Sequence, residues 1–286
     1  MTSFHFTAME MSRNLVFPDG AKGRVKVHED MGARMLMWGG MVGLTDWASL
    51  MLMGTWMKKD MTAAMPMPQI MGNPAHTSGI QRQDMSTKGL GDTSLQLLLR
   101  LFDNGAHHLH IHLGTKLPTG SVTKSAGAGH AGYGMQTGSG TVDAIPGLTY
   151  TGRLERVFWG AQYKATLPLE DENDEGYRVG NLHWLTLWGG LLLDPAWSMT
   201  LRLEGQTQDR IHGRDPKTRG HGHGADPRNY GGETAGAWLG LAWSPPDGFF
   251  KGHTLGVESG APFVQNLHGV QLKTNWSATL AWRKMW

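Results

Sequence analysis

Segments of about ten residues in strict polar–apolar alternation recur along this chain, and they constrain its fold more than any other feature. Period two is the repeat of a β-strand with one apolar face. In residues 197–206, Trp197, Met199, Leu201 and Leu203 share one face and Ser198, Thr200, Arg202, Glu204 and Gln206 the other. Over 94–101, Leu95, Leu97, Leu99 and Leu101 oppose Ser94, Gln96 and Arg100. Residues 108–117, 159–167 and 270–283 repeat the pattern.

A soluble sandwich alternates as well, so three further features decide. The segments run about 9–11 residues, the length a tilted strand needs to cross a bilayer. The connections alternate short and long: 45–47, 103–105, 153–155, 194–196 and 244–248 are short, and 12–33, 60–89, 118–139 and 209–232 are long. Short periplasmic turns and long outer loops are the pattern of a transmembrane barrel. The chain ends on an amphipathic segment closed by Trp286, and it carries 12 Trp, a residue that gathers at membrane interfaces.

The expected fold is therefore all-β: one transmembrane antiparallel β-barrel domain over 1–286, in a bacterial outer membrane. Twelve strands are expected near 3–11, 34–44, 48–58, 91–102, 107–117, 140–152, 156–167, 177–192, 197–207, 233–243, 253–260 and 268–285. Both termini then lie in the periplasm. The face assignment is ambiguous near 140–152 and 177–192, where Trp184, Leu185, Leu187 and Trp188 fall on both faces. No apolar run reaches transmembrane-helix length, and no signal peptide is legible, so one is expected to have been removed. Net charge is +2, too near neutral for a nucleic-acid binder, and zero cysteines exclude thiolate sites.

Gly89-Leu90-Gly91-Asp92-Thr93 opens one strand, Leu117-Pro118-Thr119-Gly120 closes the next, and Gly138-Ser139-Gly140-Thr141-Val142-Asp143 follows. In this order and spacing the three elements resemble the meta-pathway phenol-degradation family of outer-membrane channel proteins, over about residues 34–286. The resemblance implies a twelve-stranded barrel that passes small molecules, and fixes no cargo. The chain departs from it in its methionines, 14 of the 18 lying within residues 1–71. That bias resembles a Met-rich subgroup linked to copper.

The methionines fall in phase with polar residues. Met9 and Met11 share a face with His5 and Thr7; Met35, Met37 and Met41 oppose Leu36, Trp38 and Val42; Met51, Met53 and Met57 oppose Leu50, Leu52 and Trp56. With the aliphatic face toward lipid, three adjacent strands turn thioethers into the lumen. Thioether sulfur suits Cu(I) or Ag(I), and imidazole suits Cu(II). His108, His110 and His112 alternate on one strand, about 6.5–7 Å apart at i and i+2, and are expected to face the lumen. The candidate metal ligands are therefore His5, Met9, Met11, Met35, Met37, Met41, Met51, Met53, Met57, His108, His110 and His112. A copper ion is the one cofactor these suggest. The competing view is that Met simply fills an apolar lumen.

Four functions are open to such a chain. The first expectation is a channel for soft metal ions; the alternative is a channel for small hydrophobic or aromatic molecules. A structural barrel plugged by its own loops and an outer-membrane lipase come after. No Gly-x-Ser-x-Gly elbow occurs, so no enzyme is expected. Expected partners are the lipid bilayer and lipopolysaccharide, a small-molecule or metal-ion cargo and a periplasmic metal carrier. The acidic stretch 170–175 is expected to be a solvated loop, with attraction of cations or binding of divalent ions near lipopolysaccharide as the alternative; the Gly/His-rich loop 209–232 is expected to be solvated and mobile, and His28, His76, His130 and His212 to enrich the mouth in imidazole. Lumen charges such as Arg100, Lys116, Lys164 and Arg202 are expected to pair or to favour anions.

Overall fold

A computed structural model describes residues 1–12, 27–66, 80–127, 129–218 and 223–286. Seventeen strands follow one another: β1 (Thr2–Ser12), β2 (Val27–Gly43), β3 (Ala48–Pro66), β4 (Ile80–Leu90), β5 (Thr93–Asp103), β6 (His107–Leu117), β7 (Ser125–Ala126), β8 (Gly129–His130), β9 (Asp143–Leu154), β10 (Val157–Pro168), β11 (Tyr177–Arg178), β12 (Leu182–Leu192), β13 (Trp197–Gln208), β14 (His212–Gly213), β15 (Gly232–Trp243), β16 (His253–Leu267) and β17 (Lys273–Lys284). Thirteen form one sheet, in which β2 pairs with β3 and β1 with β17, so the sheet closes on itself. The long β3 pairs with β5 along its first half, Ala48–Met53, and with β4 along its second, Trp56–Pro66. Together β4 and β5 occupy one position, and twelve positions complete an antiparallel barrel. Closure satisfies every ladder, the only way strands can cross lipid.

The outer face is apolar. Phe4, Phe6, Leu36, Trp38, Leu52, Trp56, Leu95, Leu113, Leu185, Leu187, Leu201, Leu239 and Leu280 are all exposed, most 38–64 %. Outward exposure of that kind would be an aggregation hazard in water and is the solvation a bilayer provides. Along β2 the alternation is regular: Arg34, Leu36, Trp38 and Val42 are exposed while Met35, Met37 and Met41 are half-buried on the opposite, inner face. Among the described residues no helix is long and apolar enough to cross a membrane.

The twelve-position barrel and its alternation agree with the sequence. Several boundaries do not, β16 running to Leu267 rather than ending near 260 among them, and two regions differ most. β2 begins at Val27 and β3 runs to Pro66, and β4 lies in a stretch expected to be loop. Beyond Trp56 the outward residues turn polar: Lys58 pairs with Asp60 at 3.2 Å, Ser86 donates to Asp60 at 2.7 Å and Thr62 to Asp84 at 2.8 Å. A three-stranded wall thus rises above the lipid belt with a water-adapted outer side. The second difference is at 177–192. Tyr177–Arg178 leaves the barrel to pair with His212–Gly213, and the barrel strand starts at Leu182. Its ambiguous phase resolves with Leu185 and Leu187 exposed outward and Trp184 and Trp188 on the inner face.

Candidate functional site: the lumen and its roof

The inner face of β1–β3 is lined with thioethers. Met9, Met11, Met35, Met37, Met41, Met51, Met53 and Met57 all lie opposite the exposed apolar residues, with His5 among them. Cross-strand register makes pairs of them: Met41 faces Met51 and Met35 faces Met57, while His5 faces Met37. One further row lies higher, where Met31, Met61 and Met85 occupy adjacent positions on β2, β3 and β4. Met85 and Met135, which join this row in a buried cluster with Ala63, Ala126 and Ala131, were not among the sequence candidates. Met67 and Met71, with His76 and His221, lie outside the described residues.

Six positions around the barrel, in either direction, separate β2 from β12. That opposite wall is aromatic. Trp188 lies against Gly160 and Phe158 against Gly190, and in each case a Cβ on the glycine would fall within about 2.2 Å of the ring. The glycines let the rings lie flat on the wall. Trp238, buried, donates its indole N–H to Ser277 at 2.8 Å and carries the Arg202 guanidinium 4.6 Å over its ring. A methionine wall thus faces a tryptophan wall across the bore.

Polar groups fill the sectors between. His112 is buried, its Nε2 2.8 Å from the Thr149 hydroxyl, which also accepts from Gln162 Nε2 at 2.8 Å. The His110 ring lies 5.0 Å from that of His112, tilted at 44°, and His108 Nδ1 lies 3.1 Å from Asp103 near the periplasmic turn. The three histidines share the inner face, as their spacing predicts, but the methionines are two or more strands away. Arg202 is held by Glu258 at 2.6 Å and by Glu204, and Lys116 by Asp143 and, at 3.7 Å, Asp92. Arg202 and Lys116 are therefore neutralised locally, which removes part of the basic bias expected from the inward Arg and Lys alone. Pairing is what a low-dielectric bore demands of a charge.

The roof comes from the loops. Residues 118–127 and 129–142 fold inward and are pinned to the barrel: Lys59 Nζ donates to the carbonyls of Gly134 and Gln136 at 2.9 and 2.6 Å, and Thr87 donates to Met135 O at 2.6 Å. The glycine- and aspartate-rich elements meet here. Asp92 accepts from Gly120 N, Ser139 N and Ser139 Oγ at 2.8–3.0 Å, and Thr119 donates to Gly91 O. Gly120 and Gly138 touch backbone to backbone, so a Cβ on either would lie 2.5 Å from the other. Tyr133 packs edge-on against Tyr177 and Tyr230, at 4.7 and 5.5 Å, with Ile211 beneath, and this joins three outer loops. Burial pushes the Tyr230 phenol up to about 12 and raises those of Tyr133 and Tyr177.

Two loop expectations are corrected by this roof. The stretch 170–175 is not simply solvated: Asn173 and Glu175 are buried, and Asn173 donates to Ser139 O. The described part of 209–232 is packed rather than free, with Ile211, Asp215 and Thr218 buried, and His130, expected at the mouth, lies in the roof with its Nε2 2.8 Å from Asp215 Oδ2.

A closed barrel with an apolar girdle, a chemically lined bore and a roof of outer loops defines an outer-membrane β-barrel of the channel class. The sequence model of the family described as "Putative MetA-pathway of phenol degradation" matches residues 21–230, and the chain belongs to that family. Its fold is similar to that of an outer membrane channel from Pseudomonas putida F1, at 13 % identity and TM-score 0.58, covering 100 % of this chain and 95 % of that one. It is also similar to the NanC porin, at 6 % identity and TM-score 0.50, covering 99 % and 100 %. The transport unit of the autotransporter AIDA-I from Escherichia coli aligns at 9 % identity and TM-score 0.51, covering 100 % and 90 %. No curated protein sequence matches the chain.

Proposed function

We propose that the barrel is a channel for small hydrophobic molecules, aromatic ones above all. The observation that carries this is the pair of facing walls, Met35, Met37, Met51 and Met53 on one side and Phe158, Trp184 and Trp188 on the other. Thioethers attract ring edges and faces by roughly 0.3–1.5 kcal/mol per contact, without the directional demand of a hydrogen bond. Indole faces stack on flat rings for about 0.5–1.5 kcal/mol beyond burial. Several such weak contacts along a bore favour passage over trapping. The family's description in terms of phenol degradation agrees with this cargo. The test is uptake of a labelled monoaromatic by cells lacking the channel and complemented with it. Trp184→Thr with Trp188→Thr is expected to slow that uptake several-fold while leaving a small sugar's unchanged. Equal uptake with and without the channel would refute the proposal.

A second reading keeps the thioether ladder as a path for soft cations, on the strength of the Met41–Met51, Met35–Met57 and Met31–Met61 pairs. It requires that Ag(I) bind the purified protein, and that changing Met35, Met37, Met51 and Met53 to Leu abolish binding. Indifference of silver to those changes leaves the aromatic cargo alone.

A further inference from the structure

Three side chains outside the lumen converge at the roof, one from each of three outer loops. His130 comes from the β6–β9 loop, Glu175 from the β10–β12 loop and Asp215 from the β13–β15 loop. One ligand atom of each lies within 4.8 Å of the others. His130 Nε2 is 2.8 Å from Asp215 Oδ2, with side-chain exposures of 11 % and 1 %, and the Glu175 side chain is 6 % exposed. Neither the aromatic walls nor the methionine ladder uses them.

The site is built rather than incidental. Asp215 is oriented by the Lys217 amide, which donates to Oδ1 at 2.7 Å, and by the Thr218 hydroxyl, which donates to Oδ2 at 3.0 Å. Its own amide donates to the Tyr133 hydroxyl at 3.0 Å, which ties it to the tyrosine cluster. Glu175 is positioned by the Asn173 side chain, whose Oδ1 accepts from Glu175 N at 2.9 Å. Hydrogen bonds that fix ligand geometry in this way are the usual support of a metal site. The charge balance also points to a cation. Two buried carboxylates approach each other, and the ammonium present is that of Lys217, 2.7 Å from Glu175 on a side chain 59 % exposed. A lysine that exposed leaves at little cost.

We propose that His130, Glu175 and Asp215 bind one divalent transition-metal ion, of which Zn2+ fits the donor set best, and that the ion staples the three outer loops over the bore. One imidazole and two carboxylates suit Zn2+ or Co2+, whereas Ca2+ and Mg2+ prefer oxygen donors alone. Ligands on one tetrahedral zinc sit about 3.3–3.5 Å apart, given bond lengths near 2.0–2.2 Å. The His130 and Asp215 donors, 2.8 Å apart, therefore open by about 0.5 Å, and Glu175 draws in by up to about 1.4 Å, a loop-sized adjustment. Lys217 turns out to solvent as the ion takes its place.

The test uses the untagged, detergent-solubilised barrel and Zn2+ titrated in a calorimeter, with Co2+ absorbance as a second readout. One equivalent is expected to bind saturably. Asp215→Asn and His130→Gln are each expected to weaken binding more than about tenfold. Lys217→Ala is expected to tighten it, because it removes the competing cation, and as a surface change it leaves the barrel folded. Absence of one-equivalent binding overturns the proposal. So does wild-type affinity in Asp215→Asn, which would assign the ion to other histidines. Weaker binding in Lys217→Ala overturns it too, since the cluster is then only an ion-pair network. None of these readouts depends on what the channel carries.

Discussion

Lys59→Met tests whether the inward loop is a latch. Lys59 rises from β3 and donates to two carbonyls of the 118–142 loop, Gly134 O at 2.9 Å and Gln136 O at 2.6 Å. Hydrogen bonds from a charged donor contribute about 1.5–3 kcal/mol each when buried. One of these is exposed, and the ammonium regains water when the loop swings away, so the pair is worth roughly 2–3 kcal/mol to the closed state. At about 1.4 kcal/mol per factor of ten, that shifts the loop's opening equilibrium by about thirty- to a hundredfold. Methionine is one atom shorter than lysine, unbranched, and suits the neighbouring Met57 and Met61, so the barrel itself is not perturbed. In planar bilayers, single-channel records of the variant are expected to show longer or larger open events than wild type. Thr87, which donates to Met135 O, is a second tether, and Thr87→Val together with Lys59→Met is expected to exceed either change alone. Unchanged conductance in a folded double variant would refute the latch.

Three other outcomes follow from the same geometry. Thr149→Val strips the shared partner from His112 Nε2 and Gln162 Nε2, and is expected to cost about 1–3 kcal/mol, read from the temperature at which the barrel unfolds on a heat-modifiability gel. Arg202→Gln leaves Glu204 and Glu258 without their guanidinium, and the reversal potential in a KCl gradient is expected to move toward cation selectivity. Burial raises the Tyr230 phenol to about 12, so the folded roof favours the neutral form. That contribution is complete below the unfolded value near 10 and fades as pH rises from there through about 12. Proteolysis of the outer loops is expected to accelerate over that window in wild type and less so in Tyr230→Phe.

The strands and their phase were legible because one physical rule, apolar toward lipid and polar inward, governs the belt. The rule reverses above it. On β3, Lys58, Asp60 and Thr62 point outward to water while Met61 and Ala63 point inward against Met135 and Ala131. The period of two persists there, but its polarity is inverted, so the stretch reads as loop. The methionine wall was visible as a phase relation within single strands. The aromatic wall was not, because Trp184 and Trp188 become inner residues only once the strand is known to start at Leu182, after the chain detours to pair Tyr177 with Gly213. Pairings such as Lys116 with Asp143 depend on β6–β9 register, and His130 with Asp215 on loops far apart in sequence. No local pattern announces either.

The seam between β1 and β17 places a demand on assembly. Its register runs from Thr2 against Lys284 to Ser12 against Lys273, and Thr7 bonds to Thr279 across it at 2.9 Å. The first strand made therefore waits for the last. Until β17 arrives, both β1 and β16 present open ladders, and an open ladder in hydrocarbon costs several kcal/mol for each unpaired group. Nothing short of the full circle is stable in lipid.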